Sequence, residues 1–160
     1  MTLPESENPG RRVLYAFLLG TLAVGACASL FTEPNIASWY AALAKPSFDP
    51  PNWVFAPVWT ALYILMAVAA WRAWRVVGLR SVALTLYFLQ LTFNFAWSLI
   101  FFAQHQIALA LIDIAALFVS LLATAIAFWR ADRTAGLMLL PYLAWVGFAG
   151  LLNLEIWRLN

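Results

Sequence analysis

Five long apolar runs constrain this chain more than any other feature. They fall at 12–32, 53–77, 81–103, 107–129 and 134–158, each close to the roughly 20 residues that carry an α-helix across a bilayer. Runs this long and this uniformly apolar are not barrel strands, and in lipid a helix is then the only way to satisfy every backbone polar group. The composition agrees: 65% of residues are hydrophobic and 10% charged, against about 45–50% and 25% in soluble domains. The expected fold is therefore an all-α membrane protein, a bundle of five transmembrane helices. Residues 1–10 are expected to form a disordered tail, and residues 11–160 a single transmembrane domain.

The links between runs set the topology. Gly78-Leu79-Arg80, Gln104-His105-Gln106 and residues 130–133 are tight, so the helices they join run antiparallel. The link from Glu33 to Asn52 is about twenty residues long, and loops of that length in compact folds are usually functional or disordered. Its prolines and aromatics argue for order. The stretch from Trp39 to Tyr63 carries three of the nine Trp and, at Pro46, Pro50, Pro51 and Pro57, half of the eight Pro. It reads as a long structured loop that serves as a lid, followed by one wall of a pocket. No internal repeat is visible, which disfavours a transporter of two inverted halves.

Charge sets orientation. Arg11, Arg12, Arg72, Arg75, Arg80, Arg130 and Arg133 lie on the N-terminal side, and only Lys45 and Arg158 on the other. The positive-inside rule then places the N-terminus inside, with the long loop and the C-terminus together outside. The rule describes insertion into an energised inner membrane, so it leaves open whether a bacterial inner or outer membrane houses the protein.

This topology brings most intramembrane polar side chains to the loop side. Gln90, Asn94, Trp97 and Phe101 form one face of the third helix, and Tyr142, Trp145, Ala149 and Asn153 one face of the fifth. Trp59, Tyr63, Met66 and Ala70 make a third stripe. Amide and indole N–H groups in lipid need partners, so they are expected to face the bundle interior and meet each other or a ligand. Asp113 lies about 9 Å inside its helix end. A carboxylate at that depth is a candidate functional group, with helix pairing as the structural alternative. Trp53, Trp71, Trp74, Trp129 and Trp157 lie near helix ends, where the interfacial belt is the default. Gly20, Gly25, Ala26, Ala28 and Ser29 suit close packing of the first helix within the bundle, with dimerisation as the alternative use. Pro57 and Pro141 are expected to bend their helices.

Several function classes are disfavoured. Cys27 is alone and cannot form an internal disulfide. With one His and one Cys, no zinc site is expected. A net charge of +2 suggests no nucleic-acid partner. No triad, metal cluster or redox pair is visible, so ordinary acid–base or metal catalysis is not expected.

The sequence resembles the translocator protein family, also called tryptophan-rich sensory proteins or peripheral benzodiazepine receptors. The matching pieces are Trp39-Tyr40 with Lys45-Pro46, Pro50-Pro51-x-Trp53-Val54-Phe55, and Val58-Trp59-Thr60 with Leu62-Tyr63. Further along come Gln90, Asn94-x-x-Trp97 with Phe101-Phe102, Ala110-Leu111-Ile112-Asp113, Pro141-Tyr142-Leu143-Ala144-Trp145 and Leu152-Asn153. The length resembles bacterial members.

The resemblance implies a homodimeric five-helix bundle that binds tetrapyrroles such as protoporphyrin IX and heme, as sensor, carrier or scavenger, with no required cofactor. It also implies that benzodiazepine-type and isoquinoline carboxamide ligands fit the same pocket. Alternatives within the resemblance are light-dependent porphyrin degradation, and transport of porphyrin or sterol. Trp59 and Trp145 match the positions tied to porphyrin and to its photo-oxidation. Tyr40, Tyr63, Asn94, Trp97 and Phe101 match pocket positions, and Ala149 matches one where bulk alters binding. With Phe55, Gln90, Asp113 and Asn153, these are the candidate ligand-binding residues. Two departures stand out. Ser47-Phe48 replaces the Trp that usually follows Lys-Pro, so entry or ligand preference is expected to differ. Leu154 stands where the sterol-recognition pattern before Arg158 wants a Tyr, which argues against specific sterol binding.

Overall fold

The computed structural model describes residues 9–160, and the described residues form helices and loops without a strand. Five segments are long and apolar enough to span a bilayer: Gly10–Tyr40, Asn52–Val77, Val82–Ala103, Ile107–Ala131 and Arg133–Leu159. The first is formed by α1 (Pro9–Asn35) and the turn that follows it, the second contains α2 (Phe55–Val77) and the third α3 (Val82–Ser98). The fourth is α4 (Ile107–Ala131), and the fifth is α5 (Arg133–Met138) followed by α6 (Leu140–Leu159). The expected tail lies mostly outside the described residues, and its last two residues, Pro9 and Gly10, open α1.

The largest departure from the sequence expectation is the first link. The helix does not stop near Thr32. It passes Pro34 and continues through a wider π-helical turn at Ile36–Tyr40. Pro34 cannot donate to the preceding turn. The side chains of Asn35 and Ser38 donate back to the carbonyls of Phe31 and Pro34, at 2.9 and 3.0 Å, along the same turn. Glu33-Pro34-Asn35 looks like a helix stop but acts as a widening. The irregular lid is therefore only residues 43–51, and Trp39 and Tyr40 belong to the helix below it.

The prolines behave differently from each other. Pro57 sits in the first turn of α2, where its missing N–H is not needed, so no kink is required there. Pro141 opens α6 after a break at Leu139 that divides the fifth span.

Around the bundle, α1 packs on α2 and α3, α3 on α4, α4 on α5 and α6, and α5 and α6 close back on α2. The two ends are built differently. Toward the arginine-rich side, α2 presents Ala67, Ala69, Ala70 and Ala73, all fully buried. Such small residues let backbones approach closely, and Tyr87 and Phe128 stack across what remains, with ring centroids 6.1 Å apart. Toward the lid, large aromatics replace the alanines and hold the helices apart.

The arginine-side links are tight for identifiable reasons. Gly78 adopts φ +71°, a conformation that favours glycine. Ser81 caps α3 by accepting from the Leu84 N–H. Asp132 caps α5, accepting from Thr134 and Ala135 at 2.8 and 3.1 Å, while its other oxygen lies 2.8 Å from Arg72 of α2. Burial acts to raise the Asp132 carboxyl, but the two N–H groups and the guanidinium outweigh it and hold it below its ordinary value. A depressed folded pKa contributes stability that is present above the unfolded value and lost as pH falls through the folded one. Asp132→Asn, which keeps a cap but removes the charge, is expected to melt below the wild type at neutral pH. The gap should close below about pH 4, as thermal unfolding across a pH series would read.

Candidate functional site

Separating the lid-side helices by aromatic side chains leaves a cavity of about 590 Å³. One wall comes from α2 and α6. Trp59 lies edge-on to Trp145, with centroids 6.5 Å apart and planes at 89°, and Phe55 packs against Trp145 at 5.9 Å. The facing wall comes from the third span, where Trp97 and Phe101 stack at 5.1 Å and 17°. Because the two wall indoles are perpendicular, a planar molecule can lie flat on only one of Trp59 and Trp145 and meets the other by its edge. A sandwich between both indole faces is not available.

The floor is a hydrogen-bonded plug. Tyr63 of α2 donates to Asn94 Oδ1, and Asn94 Nδ2 donates to the Tyr142 hydroxyl of α6 at 2.8 Å. Asn94 is 3% exposed and Tyr142 fully buried. Higher up, Trp97 Nε1 donates to Asn153 Oδ1 at 3.0 Å, and Asn153 Nδ2 to the Ile107 carbonyl at 3.1 Å. The amides that the sequence left between mutual pairing and a ligand are thus paired with protein, tying α2, α3, α4 and α6 together. Trp145 Nε1 is different: it is buried without a hydrogen-bond partner among the described residues.

The cavity gathers most of the candidate residues: Phe55, Trp59 and Tyr63 on α2, Asn94, Trp97 and Phe101 on the third span, and Trp145, Ala149 and Asn153 on α6. Tyr40 also borders it from the end of the first span, donating to Asp49 Oδ1 of the lid at 2.9 Å. Two candidates do not border it. Gln90 lies one turn below the plug, fully buried, with its Nε2 3.7 Å from Met66 Sδ. Asp113 lies outside the cavity lining, and its Oδ2 is buried without a hydrogen-bond partner among the described residues. Trp53, which opens the expected wall, is instead 75% exposed, as an interfacial Trp would be.

Sequence reasoning missed the contribution of α1. Leu22, Gly25, Ala26, Ser29 and Glu33 line the cavity, whereas Gly25, Ala26 and Ser29 suggested only helix packing or dimerisation. Both uses occur along one stripe. A Cβ on Gly25 would lie 2.5 Å from the Tyr63 ring, so α1 and α2 touch there, at the border of the cavity. Ser98 and Asn52 are further lining residues that gave no sequence signal.

The lid is fastened to the bundle. The Ala44 N–H donates to Asn160 Oδ1 and Asn160 Nδ2 donates to the Ala44 carbonyl, each at 3.0 Å. Lys45 Nζ lies 4.8 Å from the centre of the Tyr40 ring, within cation–π range. Phe48, one of the residues departing from the expected Trp, packs edge-on to Phe148 of α6 at 6.2 Å. Beside the lid, His105 holds φ +58° in the tight link before α4. Its ring stacks on Trp39 at 4.2 Å, and its Nε2 is 3.1 Å from Asn35 Oδ1.

Fold and site together define an integral, multi-pass helical membrane protein with a lidded aromatic cavity in one half of its bundle. The comparisons with known proteins give the family. The chain belongs to the TspO/MBR family, which it matches over residues 17–158. It is 40% identical over 148 residues to the tryptophan-rich protein TspO of Archaeoglobus fulgidus, covering 92% of this chain and 96% of that protein. It is 37% identical over 147 residues to the protein CrtK of Rhodobacter capsulatus, covering 90% of each. It is 40% identical over 136 residues to the translocator protein of Homo sapiens, covering 82% of this chain and 80% of that one.

Proposed function

We propose that this protein binds flat tetrapyrroles, protoporphyrin IX and heme, in the lid-side cavity and acts as a sensor, carrier or scavenger. The observation that carries the reading is the cavity itself, whose two aromatic walls come from α2 with α6 and from the third span. Its volume of about 590 Å³ lies within the roughly 300–1,000 Å³ of small-molecule sites. Since most lining amides are already paired, the ligand is held by aromatic contact, with its plane on Trp59 or Trp145. Benzodiazepine-type and isoquinoline carboxamide molecules suit the same walls. The protein needs no cofactor on this reading, the tetrapyrrole being its ligand, and it works as a homodimer in the membrane without a nucleic-acid partner. The closely packed arginine-side half favours binding over passage through the bundle.

Ala149 tests the proposal. It borders the cavity on α6 and is 9% exposed, so Ala149→Phe directs a ring into the space. Equilibrium binding of protoporphyrin IX is expected to weaken at least tenfold, a ΔΔG of about 1.4 kcal/mol, with little change in melting temperature. Unchanged affinity would remove the cavity as the site.

A second reading draws on the adjacency of Trp59 and Trp145. Two indoles 6.5 Å apart would stand beside a bound porphyrin as oxidisable partners for light-driven degradation. Porphyrin loss in light with oxygen, exceeding that with an unrelated detergent-solubilised protein, would support it. Equal loss would reduce the function to binding.

A further inference from the structure

We infer that the cavity sorts tetrapyrroles by where they carry carboxylates, with Glu33 on its rim as the discriminating residue. Rings with a carboxylate-free edge are accepted, and rings carboxylated on every side are rejected. This rests on the binding reading above and narrows its ligand class.

The lining lacks what an anion needs. Among the described residues no Lys, Arg or His borders the cavity, and Glu33 is the one charged side chain that does. Sites for carboxylates are ordinarily built from Arg, Lys or converging backbone N–H groups. Two of the lining amides are already committed, Asn94 to the Tyr142 hydroxyl and Asn153 to the Ile107 carbonyl. Trp145 Nε1 has no partner among the described residues, but it is a single neutral donor and supplies no counter-charge. A carboxylate carried into this space loses water and gains no cation, and burying an unpaired charge is costly.

Glu33 adds repulsion at the rim. It stands on α1 seven residues, about 10 Å, before the Tyr40 end of the first span. That span has 31 residues, about 46 Å as a helix, against a hydrocarbon layer of about 30 Å. Centred on that layer, it places Glu33 near the headgroup boundary. The side chain is exposed, and no ion pair among the described residues engages it. The other charges near the lid come in opposite signs. Lys45 Nζ stands 4.8 Å from the centre of the Tyr40 ring, and Asp49 accepts from the hydroxyl of that ring at 2.9 Å. At the end of α6, Arg158 pairs with Glu155 at 2.8 Å. The rim is therefore net negative over an aromatic interior.

Ring chemistry turns this field into selection. Protoporphyrin IX carries both propionates on one edge, so its methyl and vinyl edge can lie among the indoles while the carboxylates stay in the headgroup region, away from Glu33. Coproporphyrin III has the same macrocycle with a propionate on every pyrrole. At least one carboxylate must then face Glu33 or be buried between the walls, and like charges brought together suppress the wrong ligand.

The experiment places the full chain in phosphatidylcholine nanodiscs, whose headgroups add no net charge. Protoporphyrin IX, coproporphyrin III and their methyl esters are titrated into wild type and Glu33→Gln, with affinity read from porphyrin absorbance. Partition into the bilayer is common to both proteins and cancels in their ratio. At about 0.1 M NaCl the wild type is expected to prefer protoporphyrin IX over coproporphyrin III at least tenfold. Glu33→Gln should narrow that preference at least threefold, mainly by tightening coproporphyrin III, and should move the uncharged esters less than twofold. Raising NaCl to about 1 M, where the Debye length falls from about 10 Å to about 3 Å, should narrow the preference in wild type but not in Glu33→Gln. Should Glu33→Gln fail to fold, Glu33→Ala and the salt series on wild type read the same selection. A preference unchanged in Glu33→Gln, or a change shared equally by the esters, would overturn Glu33 as the discriminating residue. Equal wild-type affinity for the two acids would overturn the selection and leave the cavity reading standing. Absence of saturable binding by acids and esters alike would overturn the tetrapyrrole reading itself, and this inference with it.

Discussion

Asn94→Leu is expected to lose tetrapyrrole binding and to unfold well below the wild-type temperature. Asn94 hydrogen-bonds both Tyr63 and Tyr142, accepting from the first and donating to the second. Leucine is close to asparagine in volume, so the substitution deletes the two hydrogen bonds with little change in packing. The Tyr142 hydroxyl is then stranded at a fully buried position. An unsatisfied buried hydroxyl costs about 1–3 kcal/mol. Interhelical hydrogen bonds in membranes measure lower, averaging about 0.6 kcal/mol with a maximum near 1.7. Two of them set the expected loss at about 1–3 kcal/mol. Function should suffer more than stability. Without the plug, Tyr63 is free to turn into the cavity, displacing ligand and disturbing its contact with Gly25. Thermal unfolding with a protoporphyrin titration on the same preparation checks both. Wild-type melting and affinity in Asn94→Leu would show that the plug is decorative.

The spans were legible because roughly twenty apolar residues in lipid leave a chain no alternative, and the tight links left no freedom in their order. The aromatic walls were legible too, since Asn94, Trp97 and Phe101 step at helical spacing and share a face. Other features could not be read. Glu33-Pro34-Asn35 carries every local mark of a helix stop, yet the helix passes it through a π-helical turn, with Asn35 and Ser38 bonded back to the carbonyls of Phe31 and Pro34. Gln90 lies on the same stripe as Asn94, yet the floor of the cavity falls between them, at a depth that no periodicity reports. Ala26 and Ser29 look the same in sequence whether they pack against a neighbour or border a gap. That distinction depends on how far apart the Trp and Phe side chains of other helices hold α1 and α2.

Gly136→Ala is the second large expected effect, and it acts on the scaffold rather than the cavity. A Cβ at Gly136 would sit 2.7 Å from both Cα and Cβ of Trp129 and 2.8 Å from its backbone nitrogen. Two of these atoms are backbone of α4, so no rotamer change relieves the clash, and α4 and α5 must separate. Overpacking of this kind typically costs about 1–3 kcal/mol, occasionally more. Separation would also strain the Asp132 cap and its ion pair to Arg72, which occupy the same hairpin. The melting temperature should fall, and Gly136→Ala combined with Asp132→Asn should lose less than the sum of the two, because the sites share one hairpin. Strict additivity in that double-mutant cycle, or wild-type stability in Gly136→Ala, would contradict the close approach of α4 and α5.

The central claim is that the aromatic cavity beneath the lid is where a tetrapyrrole sits, and its walls supply the most direct test. Protoporphyrin IX is titrated into wild type, into Trp59→Phe with Trp145→Phe, and into Trp53→Phe, whose indole lies outside the cavity at 75% exposure. Affinity is measured from porphyrin absorbance so that loss of an indole does not bias the readout. The predicted result is at least a tenfold weaker affinity in the double variant, with Trp53→Phe matching the wild type. Equal affinity in all three would contradict the claim and place the ligand elsewhere on the bundle.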